Sequence, residues 1–383
     1  MKNESRAEYL FYLGNHFYRS GERTRALRCY RRSVELAPTE GTYWLNLAFV
    51  QLKTGNYDEA KRLHKKATAI FKKLGDAWGV ATSLNNLGLI EQNRGNYADA
   101  TKLYRQSLEV SRKLGDQRGI ALTTSNLAII EKEKGNYDEA RRLFNQTRAV
   151  LQKLGDLSAL AVCLNNLGAV EHAAGNHDEA YKLYHQSLDM IRQIGDYNEV
   201  ANTLRNLGDI ADSQGDNDEA VRLYNKSLKT SEQLQDRSGI ARSLHSLGIV
   251  EQHRGNLDEA KRLYDQSLHI SRELGEQLGI ARTLHQLANI DYLRGNYDGA
   301  WHLYEQSLEL NRKLENQSGV AITLHQLSRI EEDRGNYGEA ARLCNESLQI
   351  ELKLGNQTKI AATLADLDRL AEKQRSLELA GKH

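Results

Sequence analysis

The most regular chemistry in this chain is a column of carboxamides forty residues apart: Asn46, Asn86, Asn126, Asn166 and Asn206, continued as Ser246, Gln286 and Gln326. A carboxamide both donates and accepts. Such a column can pair with the N–H and C=O groups of an extended peptide whatever its side chains, or it can tie neighbouring elements together. One residue before the later members stand His245, His285 and His325, and near them Arg205, Arg242, Arg282 and Arg329. Guanidinium groups hold carboxylates bidentately, so this half is expected to prefer an acidic segment or a carboxylate. Asp209, Asp212, Glu332 and Asp333 dilute that field. The earlier half offers Phe49, Leu89 and Ile129, with Leu122, Val162 and Ala169, as an apolar floor.

The elements that must position these residues are marked by a second periodicity. Gly55-Asn56-Tyr57 recurs at Gly95, Gly135, Gly175, Gly215, Gly255, Gly295 and Gly335, and Leu74-Gly75-Asp76 recurs half a period later. Between the marks, Val80, Leu84, Leu87 and Ile90, then Tyr97, Ala100, Leu103, Tyr104 and Leu108, step by three and four. This is the apolar stripe of a helix. Glycine ends each helix in the left-handed conformation, and Asn or Asp starts the next. Asn56 with Glu59, Asn136 with Glu139 and Asn256 with Glu259 have capping-box spacing. Each period is therefore expected to be a helix hairpin. Asparagine is a poor mid-helix residue, so its column calls for a reason.

At 100° per residue, positions 4, 7, 8 and 11 of each repeat, counted from 81, 121 and 161, form the core stripe. Positions 2, 5, 6, 9, 12 and 13 lie opposite, and these carry the Asn, His and Arg columns. The recurrent Tyr104, Tyr184, Tyr224, Tyr264 and Tyr304 fall on the core stripe of the second helix, as packing residues. Equivalent positions on successive first helices are two helix spacings apart, each ~8–10 Å. Three histidines so placed cannot share a zinc, which needs nitrogens at ~2 Å. No metal is expected.

The first repeat, with Leu10, Leu13, Gly14, Phe17, Ala26, Tyr30 and Pro38, and the second, with Trp44, Leu47, Ala60 and Ala67, resemble the tetratricopeptide repeat (TPR) family. The later units are similar to the 40-residue variants of Pins/LGN-type adaptors and related prokaryotic arrays. The family's aromatic after the glycine is missing, with Glu91, Glu131 or Glu251 in its place. The resemblance implies an all-α, right-handed α-solenoid of helix hairpins: one repeat at 7–40, eight over 41–360, and a capping helix over 361–383, in one domain. It further implies that the Asn, His and Arg face lines a concave groove, with the asparagines gripping a peptide backbone as a ladder.

Composition excludes other classes. Lys and Arg number 52 against 51 Asp and Glu, a net charge of +1, which argues against nucleic acid or an anionic membrane as partner. No run approaches the ~18 apolar residues of a membrane span, and Met1 to Arg6 lack a signal peptide's apolar run, so a cytoplasmic protein is expected. Pro38 is the single proline, as long helical runs require. Cys29, Cys163 and Cys344 are expected to be small buried residues. Acids and bases recur with the repeat, whereas a catalytic constellation should break it once, and no phosphate-cradling G-x-x-x-x-G-K-[ST] loop is present. Gln235 and Glu315 replace the inter-repeat glycine and Gly299 the capping acid, which reads as softened joints.

The expectation is a non-enzymatic adaptor, without cofactor, that binds an extended or amphipathic segment of another protein. The alternative is a regulatory or sensor subunit that controls a separate ATPase, protease or nuclease through ligand-dependent changes of shape. Self-association and the partner's identity are left open.

Overall fold

The computed structural model describes residues 3–195 and 197–380, with α-helices and no strand among them. The packing divides into two compact units, Met1–Leu127 and Ala128–His383. The first holds α1 (Asn3–Arg19), α2 (Arg23–Leu36), α3 (Gly41–Lys53), α4 (Tyr57–Leu74), α5 (Ala77–Asn93) and α6 (Tyr97–Leu114), while α7 (Gln117–Glu133) runs through the boundary. The second holds α8 (Tyr137–Leu154), α9 (Leu157–Ala173), α10 (His177–Ile194), α11 (Tyr197–Ser213), α12 (Asn217–Gln233) and α13 (Arg237–His253). It continues through α14 (Leu257–Leu274), α15 (Gln277–Leu293), α16 (Tyr297–Lys313), α17 (Gln317–Asp333), α18 (Tyr337–Leu354) and α19 (Gln357–Ala380). Within each unit consecutive helices pack as hairpins, and first helices also touch the first helix of the next repeat, as α3 does α5 and α11 does α13.

The expected stops are present. Gly95 has φ 79°, its N–H donates to Gln92 O (2.9 Å), and the Asn96 N–H reaches back to Glu91 O (2.8 Å). This pair of bonds closes the last turn only when the residue between is left-handed. Gln235 and Glu315 take the same conformation, at φ 55° and 50°, with a Cβ that crowds the backbone there. The half-period starts are also as expected: Asp76 and Asp116 side chains accept from the N–H groups of Gly79 (2.9 Å) and Gly119 (3.0 Å). Asp196 lies outside the described residues.

The capping boxes do not form. Asn56, Asn136 and Asn256 make no side-chain cap bond, and Glu59, Glu139 and Glu259 instead pair with Arg62, Arg142 and Arg262 one turn on. The cap asparagines of most repeats turn backwards. Asn96, Asn136, Asn176, Asn256 and Asn336 donate to Glu91, Glu131, Glu171, Glu251 and Glu331 at 2.7–2.9 Å. This accounts for an acid where the family places an aromatic. A near-buried carboxylate there needs donors, and Glu91 also takes Lys61 (2.6 Å) while Glu171 takes Arg141 (2.5 Å).

The core is broader than the expected stripe. Positions 1 and 3 are buried as well, as Ala81 and Ser83, because each first helix is enclosed by its own second helix and by neighbouring repeats. The tyrosines Tyr104, Tyr184, Tyr224, Tyr264 and Tyr304 are fully buried as expected. Tyr104 lies across Gly88 and Tyr224 across Gly208, where an added Cβ would come within 2.6 and 2.5 Å of the ring. Buried serines fasten the hairpins, Ser187 Oγ donating to Ala161 O and Ser267 Oγ to Ala241 O, both at 2.8 Å. Cys163 and Cys344 are buried, and Cys29 is partly exposed. Burial pushes the Cys163 thiol up to about 12 and the Cys344 thiol up to about 11.

The terminal helix begins at Gln357, earlier than the expected 361, because Asn356 caps it by accepting from the Lys359 N–H (3.1 Å). It covers the last hairpin with Ile360, Thr363 and Leu370, and leaves Leu364, Leu377 and Leu379 exposed. Residues 381–383, included in the expected capping helix, lie outside the described residues.

Candidate functional site

The asparagine column divides into bound and unbound members. In the first unit, Asn46 Nδ2 donates to Thr42 O in its own helix (2.9 Å). Asn126 Nδ2 donates to Asn85 Oδ1 (3.1 Å), which also receives the Thr123 hydroxyl (3.4 Å). In the second unit, Asn206 Nδ2 donates to Asn165 Oδ1 (3.0 Å). Asn126 and Asn206 thus fasten one first helix to the previous one. Asn86 and Asn166 are half-exposed and make no side-chain hydrogen bond among the described residues. The partners Asn85 and Asn165 were not among the sequence candidates. Their signal was the repeated Asn-Asn pair, with the buried member first.

The apolar floor is present in part. Leu122 (56% exposed) and Val162 (37%) stand in solvent. Leu89, Ile129 and Phe49 are half-buried, and the Phe49 ring packs on Tyr18 at 5.7 Å with Lys53 over its face at 5.4 Å. Leu122 is the more open platform on its helix.

The basic columns are also divided. His325 Nε2 meets Asp366 of α19 at 2.7 Å, and Glu332 is held by Arg369 and Lys373 (2.8 Å) of the same helix. Arg329 lies over the Tyr292 ring at 5.3 Å. The last helix therefore takes up His325, while Arg329 packs on α15. His245 packs against Tyr264 (ring centroids 5.4 Å apart) and meets the Thr283 hydroxyl at 3.3 Å, and His285 repeats both contacts with Tyr304 and Thr323. Burial, with Arg282 beside His245, lowers both imidazoles to about 4, so they are neutral at pH 7.

Arg205, Arg242 and Arg282 come together. With His245, Ser246 and Ser271 they line a cavity of about 210 Å³ between α11, α13, α14 and α15. Arg205 donates to Asn202 (3.2 Å), and burial followed by repulsion from Arg242 lowers its pKa from the ordinary guanidinium value. Asp209 turns to accept from Tyr224 OH (2.7 Å), and its burial raises its pKa. Arg242 approaches Asp236 only to 3.6 Å. Among the described residues no three His, Cys, Asp or Glu side chains are grouped to hold a metal ion, and no helix is long and apolar enough to cross a membrane.

Sequence profiles described as tetratricopeptide repeat match residues 7–40, 41–73, 79–153, 159–233 and 239–313, well over half of the chain. No curated protein matches the sequence. Among solved structures, the chain is similar to a Rap protein complexed with Competence and Sporulation Factor (TM-score 0.56, 14% identity, covering 87% of this chain and 99% of that one). It is also similar to a signal transduction ATPase with numerous domains, carrying a tetratricopeptide repeat sensor, from Pyrococcus horikoshii (TM-score 0.52, 16% identity, 96% of this chain and 55% of that one).

Proposed function

The chain belongs to the tetratricopeptide repeat family, and from that premise we propose that this interaction scaffold holds an extended peptide segment of a partner protein along the face of its first helices. The observation that carries this reading is the pair Asn86 and Asn166. Each is a half-exposed carboxamide that makes no side-chain hydrogen bond among the described residues; Asn86 belongs to the first unit, and Asn166, in the second, lies one turn along α9 from the exposed Val162. A free carboxamide in mid-helix works against helix formation, and bonding a passing backbone offsets that cost. The apolar side chains beside it supply burial and side-chain preference. The similar Rap protein was solved complexed with Competence and Sporulation Factor, which supports a bound partner for this fold.

The test is selection of linear peptides from a display library on the immobilised protein, with Asn86→Ala/Asn166→Ala alongside. Peptides enriched on the wild type and lost on the pair, with the helical circular-dichroism signal unchanged, are expected. Equal enrichment on both would remove the asparagines from the reading.

A second reading, a regulatory subunit acting on a separate effector, is favoured by Gln235 and Glu315. Both hold a left-handed joint that glycine would hold without strain, so those joints are places where repeats can change pitch. Solution scattering with and without a selected peptide distinguishes the two: compaction on binding belongs to the regulator, an unchanged profile to the passive scaffold.

A further inference from the structure

We infer that the turn edge of the first unit, where α4 and α6 end, docks on an anionic lipid surface. The inference goes beyond the peptide reading and is independent of it, because it rests on second helices and turns instead of the first-helix face.

The net charge of +1 conceals two opposite halves. Residues 1–127 hold 21 Lys and Arg against 12 Asp and Glu, a formal charge of +9, and residues 128–383 hold 31 against 39, or −8. Screening at physiological salt confines each field to about 8 Å, so the first unit meets whatever touches it as a basic body. The argument from total charge against an anionic membrane does not apply to this unit.

Its cations stand in stripes. Lys65 and Lys72 are two turns apart on one face of α4, and Arg105 and Arg112 repeat them on α6 forty residues later. All four are exposed and form no ion pair among the described residues. Lys72 and Arg112 sit in last turns, where a cation suits the helix dipole by itself. Lys65 and Arg105 lie mid-helix and have no such reason.

Where the stripes end, apolar side chains stand in solvent: Leu74 is 64% exposed, Trp78 58% and Leu114 47%. Leu74 and Leu114 are equivalent residues before the left-handed Gly75 and Gly115, and Trp78 lies in the first turn of α5. The acids of the same turns are engaged. Asp76 and Asp116 accept from the Gly79 and Gly119 N–H groups, and Glu109 pairs with Lys113 at 2.7 Å. Exposed leucine and indole beside unpaired cations is the combination of an interfacial anchor, with apolar groups at the acyl boundary and cations among anionic headgroups. A nucleic acid backbone would use the cations and gain nothing from Leu74 and Leu114. The equivalent turns of the second unit also expose Leu154 and Ile194, but α8 and α10 carry Asn145 and His185 where α4 and α6 carry Lys65 and Arg105. Charge therefore selects the first unit.

The test is sedimentation of the full chain with vesicles of equimolar phosphatidylserine and phosphatidylcholine, against vesicles of phosphatidylcholine alone, with brominated phosphatidylcholine as a quencher of tryptophan emission. Binding to the anionic vesicles, weakened by salt, is expected, with quenching that Trp78→Phe removes. Lys65→Gln/Lys72→Gln is expected to lower partitioning about twentyfold, from about fivefold per cation at an anionic surface, with the helical circular-dichroism signal unchanged. Should that pair disturb folding, Arg105→Gln/Arg112→Gln carries the same expectation. Sedimentation with neither vesicle, equal binding to both, or binding without quenching of Trp78 overturns the inference. Salt-sensitive capture of a single-stranded oligonucleotide in place of the anionic vesicles assigns the basic face to nucleic acid and overturns it as well. None of these results involves Asn86 or Asn166, so the two readings fail separately.

Discussion

Asn206 donates its carboxamide N–H to the carboxamide oxygen of Asn165, 3.0 Å away on the preceding first helix. Two residues that look like one ligand-gripping column are thereby in different states, one engaged between repeats and one, Asn166, open. Asn206→Ala leaves the buried Asn165 oxygen without its donor, and a loss of about 1–3 kcal/mol is expected in urea unfolding. Asn166→Ala removes no side-chain hydrogen bond among the described residues and is expected to stay within about 0.5 kcal/mol of the wild type. Equal losses would mean that Asn166 is also a structural residue.

His64 sits inside the first unit with both ring nitrogens unpartnered, and burial lowers its pKa to about 4. His245 and His285 are lowered to about the same value. Between the unfolded value near 6.5 and about 4, the unfolded chain binds protons that the folded chain refuses, so stability is lost as the pH is lowered through that window and levels off below it. For His64 the full loss is on the order of 3 kcal/mol. His64→Leu is expected to reduce, without abolishing, the fall of the melting temperature between pH 6.5 and 4, and an unchanged slope would contradict it.

Gln235 and Glu315 hold left-handed backbone, which every other described residue in that conformation reaches with glycine. Gln235→Gly and Glu315→Gly are each expected to raise stability, by about 1 kcal/mol, as the Cβ crowding disappears. If the joints serve shape change, the glycine variants will also bind a selected peptide with altered affinity. A chemical denaturation series on the two single variants checks the first expectation.

Gly208 lies beneath Tyr224, and a methyl group there would stand 2.5 Å from the ring. Gly208→Ala is expected to cost about 1–3 kcal/mol, the range for overpacking a core. Gly338, with nothing near its would-be Cβ, gives the control: Gly338→Ala is expected to be neutral or stabilising, since alanine is the better helix former.

The sequence alone determined the repeat, the helices and most of their ends, because an ungapped period makes every local signal recur: the Gly55 and Gly75 type stops, the stripe through Tyr104 and its equivalents, and the Asp76 type caps. It also placed Arg205, Arg242 and Arg282 on one face. It misread Asn56 and Glu59, since a capping box and an asparagine that turns back to an acid have the same local spacing, and the choice depends on whether Glu91 and its equivalents are buried. Only the tertiary structure decided that. It likewise decided that Asn126 and Asn206 are engaged while Asn86 and Asn166 are open, that α19 takes up His325, and that Ser246 and Ser271 face the arginine cavity. Each of these depends on atoms from different helices meeting at about 3 Å, and residues tens of positions apart in sequence approach that closely only once the hairpins have packed.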